Sequence, residues 1–279
     1  MRLLLIELHK LWYSRISKIL ILGYFLLIFS VAILSTIQVK IGPIEFYLAE
    51  QGIFNFPYIW HFNTFIIGLL KIFFAIIIVA MIGNEYSYKT LKQNLIDGLS
   101  KGEFLQSKIY AILAFVLIST LLVFIISLIL GGIYSDYNEL AIVFSDLEYL
   151  IAYAVKLFGF FTFCLFLGLL IKRSAFALGF LAIWQFLEGI AFGLMKWKLS
   201  DLIPALSAEQ IFRFFPLNSM GNLIKEPFSR LSAVQNIADQ IGDGFTKDYS
   251  IHTGDVLIVM VWSTLFIWGS YTLLKIRDL

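Results

Sequence analysis

The sequence predicts an all-α polytopic membrane protein that crosses the bilayer six times and keeps both termini on the cytoplasmic side. Three observations carry this. Of 279 residues, 60% are hydrophobic, 17% aromatic and only 14% charged, and twenty-eight Phe against five Pro suit lipid-facing helices better than a soluble core. Six apolar stretches, residues 19–37, 62–83, 109–130, 150–171, 175–195 and 256–274, have the length, about 20 residues, that takes a helix across a ~30 Å hydrocarbon layer. Lys and Arg crowd onto one side of the resulting topology. With the N-terminus inside, that side carries Arg2, Lys10, Arg15, Lys18, Lys89, Lys92, Lys101, Lys108, Lys172, Arg173, Lys275 and Arg277, and the two short outer loops carry only Lys40. Lys196 and Lys198 at the outer end of the fifth span run against this, although Trp197 between them marks an interface at which lysine stems snorkel. The reading is therefore one transmembrane domain, N-in and C-in.

Composition also excludes classes. A net charge of +2 leaves no footprint for nucleic acid, and the single Cys164, inside an apolar run, excludes an intrachain disulfide framework or thiolate metal cluster.

Residues 1–18 precede the first span. Leu4, Leu5, Leu8, Leu11 and Trp12 read as an apolar face, with Glu7, Lys10, Ser14, Ser17 and Lys18 opposite. This predicts an amphipathic elbow helix lying in the cytoplasmic interface and leading into the first span. A cleaved signal peptide is the competing reading; the polar leader is long for one, and no small-x-small site clearly follows. In the first outer loop Gly42-Pro43 marks a turn, and Phe54, Phe56, Tyr58 and Trp60 read as an aromatic belt at the outer surface or, alternatively, a ligand-binding aromatic cluster.

The second span holds Lys71 near its middle. A central Lys costs about 2.5–3.5 kcal/mol and each Leu, Ile, Phe or Val returns about 0.3–0.6, so the span still inserts while Lys71 faces protein or water. The next segment, 84–108, is polar, charged and helix-patterned between two spans. Tyr88, Leu91 and Leu95 fall at i, i+3 and i+7, and Glu85 and Lys89 form an i,i+4 pair with Lys92 beyond. Gly98 is a helix stop, and Ser100 with Glu103 has the spacing of a capping box that starts the next helix. The segment reads as a short helix, a tight turn and a helix entering the membrane. It either presents a docking helix to a soluble partner or is a solvated hairpin with none.

Gly131-Gly132 predicts the end of the third span, and the outer loop after it holds Asp136, Glu139, Asp146 and Glu148 without a Lys or Arg. The fourth span is Phe-dense and carries Lys156; Lys172-Arg173-Ser174 is a short cytoplasmic hairpin. The fifth carries Glu188, then Gly189 and Gly193 at a G-x-x-x-G spacing that permits close helix packing. Pairing among Lys71, Lys156 and Glu188 would lower the cost of burying all three, either as a static lock or as a polar patch in a path. Residues 196–254, punctuated by Pro204, Pro216 and Pro227, read as short helices on or partly in the outer surface, with a tip at Gly242-Asp243-Gly244.

No G-x-x-x-x-G-K-[ST], H-E-x-x-H or G-x-S-x-G occurs, and His9, His61 and His252 lie on three separate segments. The chain therefore reads as neither an enzyme nor a metal binder, and as holding no cofactor itself.

The ordering of an amphipathic N-terminal helix, six spans, a charged helix–turn–helix after the second and a large outer region before the last resembles the ABC-2-type permease subunit of ABC exporters, the type V transporter fold. In that family the segment after span two has a Glu, then Thr-Leu, a small-residue turn and a Lys opening span three. Here these are Glu85, Thr90-Leu91, Gly98-Leu99-Ser100-Lys101 and Lys108, with Lys89 where the family often has Gly and Leu99 where it has Pro. The resemblance implies a coupling helix, with Glu85, Tyr88, Lys89, Thr90, Leu91, Lys92 and Leu95, seated in a groove of a separate cytoplasmic ATPase. An elbow helix with Glu7, Lys10, Trp12 and Arg15 would flank it. It further implies a second permease as partner, identical or not, spans two and five at the dimer seam, ATP and Mg bound by the ATPase alone, and residence in a bacterial plasma (inner) membrane. Two other classes fit the same topology: a non-transporting scaffold or sensor of a motility or secretion machine, and an ion-coupled carrier or channel using Lys71, Lys156 and Glu188.

Overall fold

The computed structural model describes residues 2–34, 38–41, 44–47, 52–198, 208–231, 234–235 and 248–276. The expected turn at Gly42-Pro43, the punctuation at Pro204, the tip at Gly242-Asp243-Gly244 and the terminal Arg277 lie outside the described residues. What is described is helical except for one antiparallel hairpin, β1 (Gln38–Ile41) with β2 (Ile44–Tyr47), in which Val39 faces Phe46.

Helix α1 (Arg2–Tyr13) meets α2 (Arg15–Leu34) at a 91° bend, and α3 (Tyr58–Leu69) meets α4 (Ile72–Ser87) at 42°. A short α5 (Thr90–Ile96) leads to α6 (Lys101–Tyr134), α7 (Leu140–Val143), α8 (Glu148–Ile171) and α9 (Ser174–Lys198). The outer segment holds α10 (Ala208–Phe212), α11 (Pro216–Asn222) and a 3-10 turn at Phe228–Arg230, and α12 (Thr253–Ile276) closes the chain. Four helical runs, α6, α7 with α8, α9 and α12, are long and apolar enough to cross a membrane, and the number reaches six if each bent pair is one span.

Helix α8 is the axis of the bundle: α3, α4, α6, α9 and α12 all pack on it. Its side chains explain the fit. Gly159 takes the Val259 side chain and Gly168 takes Ile82, each against a position where a Cβ would crowd the neighbour. Tyr153 on α8, Ser119 on α6 and Tyr24 on α2 join their hydroxyls: Ser119 Oγ lies 2.7 Å from Tyr153 Oη, and Tyr24 bonds Ser119. In an apolar interior each hydroxyl needs a partner, so this cluster fixes three helices against one another.

Several expected boundaries move. The second span is broken at Leu70-Lys71, where Leu70 N–H bonds Ile67 O in a tightened last turn. The third does not stop at Gly131-Gly132 but runs to Tyr134; Gly131 serves a different purpose, since a Cβ there would collide with the Phe56 ring. The expected aromatic belt is largely interior. Phe54, Phe56 and Trp60 are buried, Trp60 donates to Val143 O at 2.9 Å and stacks on Phe124, and only Tyr58 is exposed. The pattern misled because an aromatic cluster at a helix entrance satisfies its polar edges equally well against a loop carbonyl.

Candidate functional site

At the junction of α1, α4, α5 and α6, four charges from three distant parts of the chain meet. Lys108 Nζ donates to Glu7 Oε2 at 2.6 Å and to Glu85 Oε1 at 2.8 Å. Lys10 Nζ donates to Glu85 Oε1 at 2.9 Å and lies 3.5 Å from Glu7 Oε1. Thr90 Oγ1 donates to Glu85 Oε2 at 2.5 Å, and Ser107 Oγ to Glu7 Oε1 at 3.2 Å. Lys108, Glu7 and Glu85 expose 0%, 2% and 4% of their side chains and Lys10 38%, so three interior charges are completed at the surface by a fourth, neutral as two acids and two bases. Burial pulls the Lys10 ammonium down, but the Glu85 and Glu7 carboxylates outweigh it, and its pKa stands above the ordinary value.

Local backbone explains how α5 is presented. Helix α4 runs through Glu85 and ends at Ser87; Lys89 then takes a left-handed conformation, φ 56°, which turns the chain before Thr90. At the far end Gly98 has φ 95°, Gly98 N–H bonds Leu95 O and Leu99 N–H bonds Asn94 O, the pair of bonds of a Schellman stop. Ser100 and Glu103 form the expected capping box at the start of α6. A small-residue contact seats this end on the next hairpin, because a Cβ on Gly83 would lie 3.0 Å from Ser174.

The structure sorts the sequence-derived site residues. Glu7, Lys10, Glu85 and Thr90 come together, whereas Trp12 and Arg15 lie exposed outside the cluster. Glu7 was expected on the water face of α1; it faces the core instead, while Leu5 and Trp12 are exposed. The signal was present in its spacing, since Glu7 is i+3 from Leu4 and i−4 from the buried Leu11. The expected Glu85–Lys89 pair is replaced by Glu85–Lys108, because the break at Lys89 ends the helix on which the pair depends. The same break separates Tyr88, Leu91 and Leu95: Tyr88 and Lys89 point outward, Leu91 is buried and Leu95 packs against the core. The face of α5 left open is Lys92, Gln93 and Ile96. Ser107 was not anticipated, and Lys108 was placed only through the resemblance.

The charges inside the spans do not pair with one another; each has its own partner. Lys71 Nζ lies 4.2 Å from the Phe160 ring centroid. Lys156 Nζ reaches Gly221 O at 3.5 Å and lies 5.8 Å from the Phe65 ring centroid. Glu188 accepts from Trp184 Nε1 at 2.6 Å, Asn218 N at 2.9 Å and Leu217 N at 3.3 Å, so its carboxylate caps the first turn of α11. Gly189 and Gly193 have nothing within 4 Å of where a Cβ would stand, so among the described residues none packs on them. Among the described residues no group of three or more His, Cys, Asp or Glu could hold a metal ion.

No curated protein matches this sequence. The family model described as ABC-2 family transporter protein matches residues 3–188, which takes in the whole Glu7–Glu85–Lys108 cluster, α5 and the spans through Glu188. A membrane protein with these helices and this match is a transporter permease by kinship, and the chain belongs to the ABC-2 family.

Proposed function

We propose that this chain is the permease subunit of an ATP-driven exporter in a bacterial plasma membrane, N-in and C-in, working as a dimer with separate cytoplasmic ATPases. The observation that carries the reading is the joint at Glu7, Lys10, Glu85, Thr90 and Lys108. A short helix that receives a push must be fastened to the elements it moves, and α5 is fastened by Thr90 to α4, and through the shared lysine to α1 and α6. The exposed face around Tyr88, Lys89, Lys92, Gln93 and Ile96 offers both charge and apolar surface, the composition of a helix seated in a partner's groove. ATP and Mg would be held by the partner, and α1 would flank the docked helix as an elbow.

The dimer is supported by α9. Only 17% of its spanning window is buried within the chain, against 67% for the α7–α8 run, and Phe186, Leu187 and Ile190 are exposed beside the uncovered Gly189 and Gly193. Such a face meets lipid or another helix.

The test is capture of a candidate ATPase by the purified permease. Lys92→Glu with Ile96→Asp, both on the open face, should abolish capture and export while the permease remains folded. Undiminished capture would remove α5 from the interface. Substrate-stimulated ATP turnover in the reconstituted complex separates an exporter from a scaffold, which would show none.

A further inference from the structure

At the end of α3 opposite the charged joint, a half-open cavity of about 250 Å³ lies between the α3 entrance and the outer segment. Its walls are Tyr58, His61 and Phe62 from α3, Tyr137 from the loop after α6, and Arg230 and Leu231 from the outer segment, completed by the turn at Gly52–Asn55 and by Pro227. None of these lining residues is acidic.

Arg230 is held with unusual care for a residue in an outer segment. Its guanidinium carbon stands 4.2 Å from the Tyr58 ring centroid and 4.9 Å from that of Tyr249. Its Nη1 is 3.0 Å from His61 Nδ1, while His61 Nε2 lies 2.9 Å from Lys225 O. The carbonyl can only accept, so Nε2 carries the proton and Nδ1 is left to accept from Arg230. His61 is buried and stacks on Tyr149 at 4.5 Å, and Tyr149 Oη donates to Tyr249 O at 2.9 Å. The imidazole that accepts from Arg230 is thus itself fixed on both sides.

Among the described residues no carboxylate lies within ion-pair distance of Arg230. The nearby acids are engaged: Glu226 accepts from Ser229 Oγ at 2.7 Å, and Asp136 from Asn55 Nδ2 at 3.1 Å. Partly withdrawing a guanidinium from water without a carboxylate is costly, and its planar fork of donors is shaped for an oxyanion. One side of the cavity is apolar. Phe62 leads from it to Phe228, which is exposed and packs edge-on against both Phe62 and Phe65.

We propose that this cavity binds the phosphate or carboxylate headgroup of a single-chain amphiphile, with Arg230 as the anion ligand and the tail laid along Phe62 and Phe228. The volume suits a small headgroup and the first methylenes, below the ~300–1,000 Å³ of pockets for drug-sized ligands. The proposal does not rest on coupling to an ATPase and is tested without one.

The experiment titrates dodecyl phosphate into the full-length protein in phosphatidylcholine nanodiscs, with empty nanodiscs as the blank. Saturable binding should be weakened about tenfold or more by Arg230→Gln and less by Arg230→Lys, which keeps the charge and loses the fork. Leu231→Trp, which fills the cavity and leaves Arg230 in place, should also exclude the ligand, and it decides the matter if the Arg230 variants fail to fold. Inorganic phosphate competing as well as dodecyl phosphate would assign the site to a free anion and overturn the amphiphile. Equal binding of dodecyl maltoside, or binding untouched by both Arg230→Gln and Leu231→Trp, would overturn the site itself.

Discussion

The two ends of the α3–α4 pair withdraw charge from water in opposite ways. At one end Glu7, Glu85, Lys10 and Lys108 balance one another, and every ammonium and carboxylate finds its counterpart in the same chain. At the other, Arg230 sits between aromatic faces with a neutral imidazole as its acceptor. A closed, neutral set of buried charges is a joint, which holds elements in register and wants nothing from outside. A cation held by rings, with no carboxylate at ion-pair distance among the described residues, suits the anion site proposed above. The same physics, the cost of an uncompensated charge, underlies both proposals: a coupling joint at one end and an anion site at the other.

The contrast breaks first on stability. Lys108→Met should destabilise the protein by about 3–5 kcal/mol, because it leaves two buried carboxylates side by side with only the part-exposed Lys10 to balance them, while Arg230→Gln should cost under about 1 kcal/mol, since it relieves a charge while losing cation–π contact. Denaturation of the purified protein in detergent measures both, and equal losses would erase the distinction drawn here. Next in size is the coupling between Glu7 and Lys108. A double-mutant cycle with Glu7→Gln and Lys108→Met should return an interaction of about 1.5–3 kcal/mol, and simple additivity would mean the joint is not a unit. Smaller again is Gly98→Ala, which forces a Cβ into the left-handed region and should cost about 1–2 kcal/mol; amide exchange concentrated at α5 would place the loss. Last, Ser100→Ala removes one half of the capping box and should cost about 1 kcal/mol, read as faster exchange at the α6 N-terminus with the charged joint intact.

What the sequence disclosed follows the range of the interactions involved. Two short-range signals held: Gly98 and the Ser100–Glu103 spacing stop α5 and start α6 as expected, because caps and turns involve only a few neighbouring residues, whereas Gly131-Gly132 did not end its helix. Apolar length marked four runs that are helices long enough to cross a membrane, with ends displaced by a few residues, as at Tyr134, while the first two expected spans belong to bent helix pairs. Long-range partners were not legible. Glu85 looked like half of a local pair with Lys89, and only folding brings Lys108 and Glu7 to it. Leu91 looked like docking surface because period alone does not say which side of a short helix is covered. Arg230 carried no signal at all, since its significance comes from Tyr58, His61 and Tyr249, which lie on separate elements.

The joint has a consequence for biogenesis. Its members leave the ribosome far apart in time, Glu7 first, Glu85 after two hydrophobic segments, and Lys108 last. Until Lys108 is made, the acid on the opening helix has only Lys10, one turn away, to balance it. Arrival of Lys108, before half of the chain has been made, then ties the first helix to the end of α4 and the start of α6.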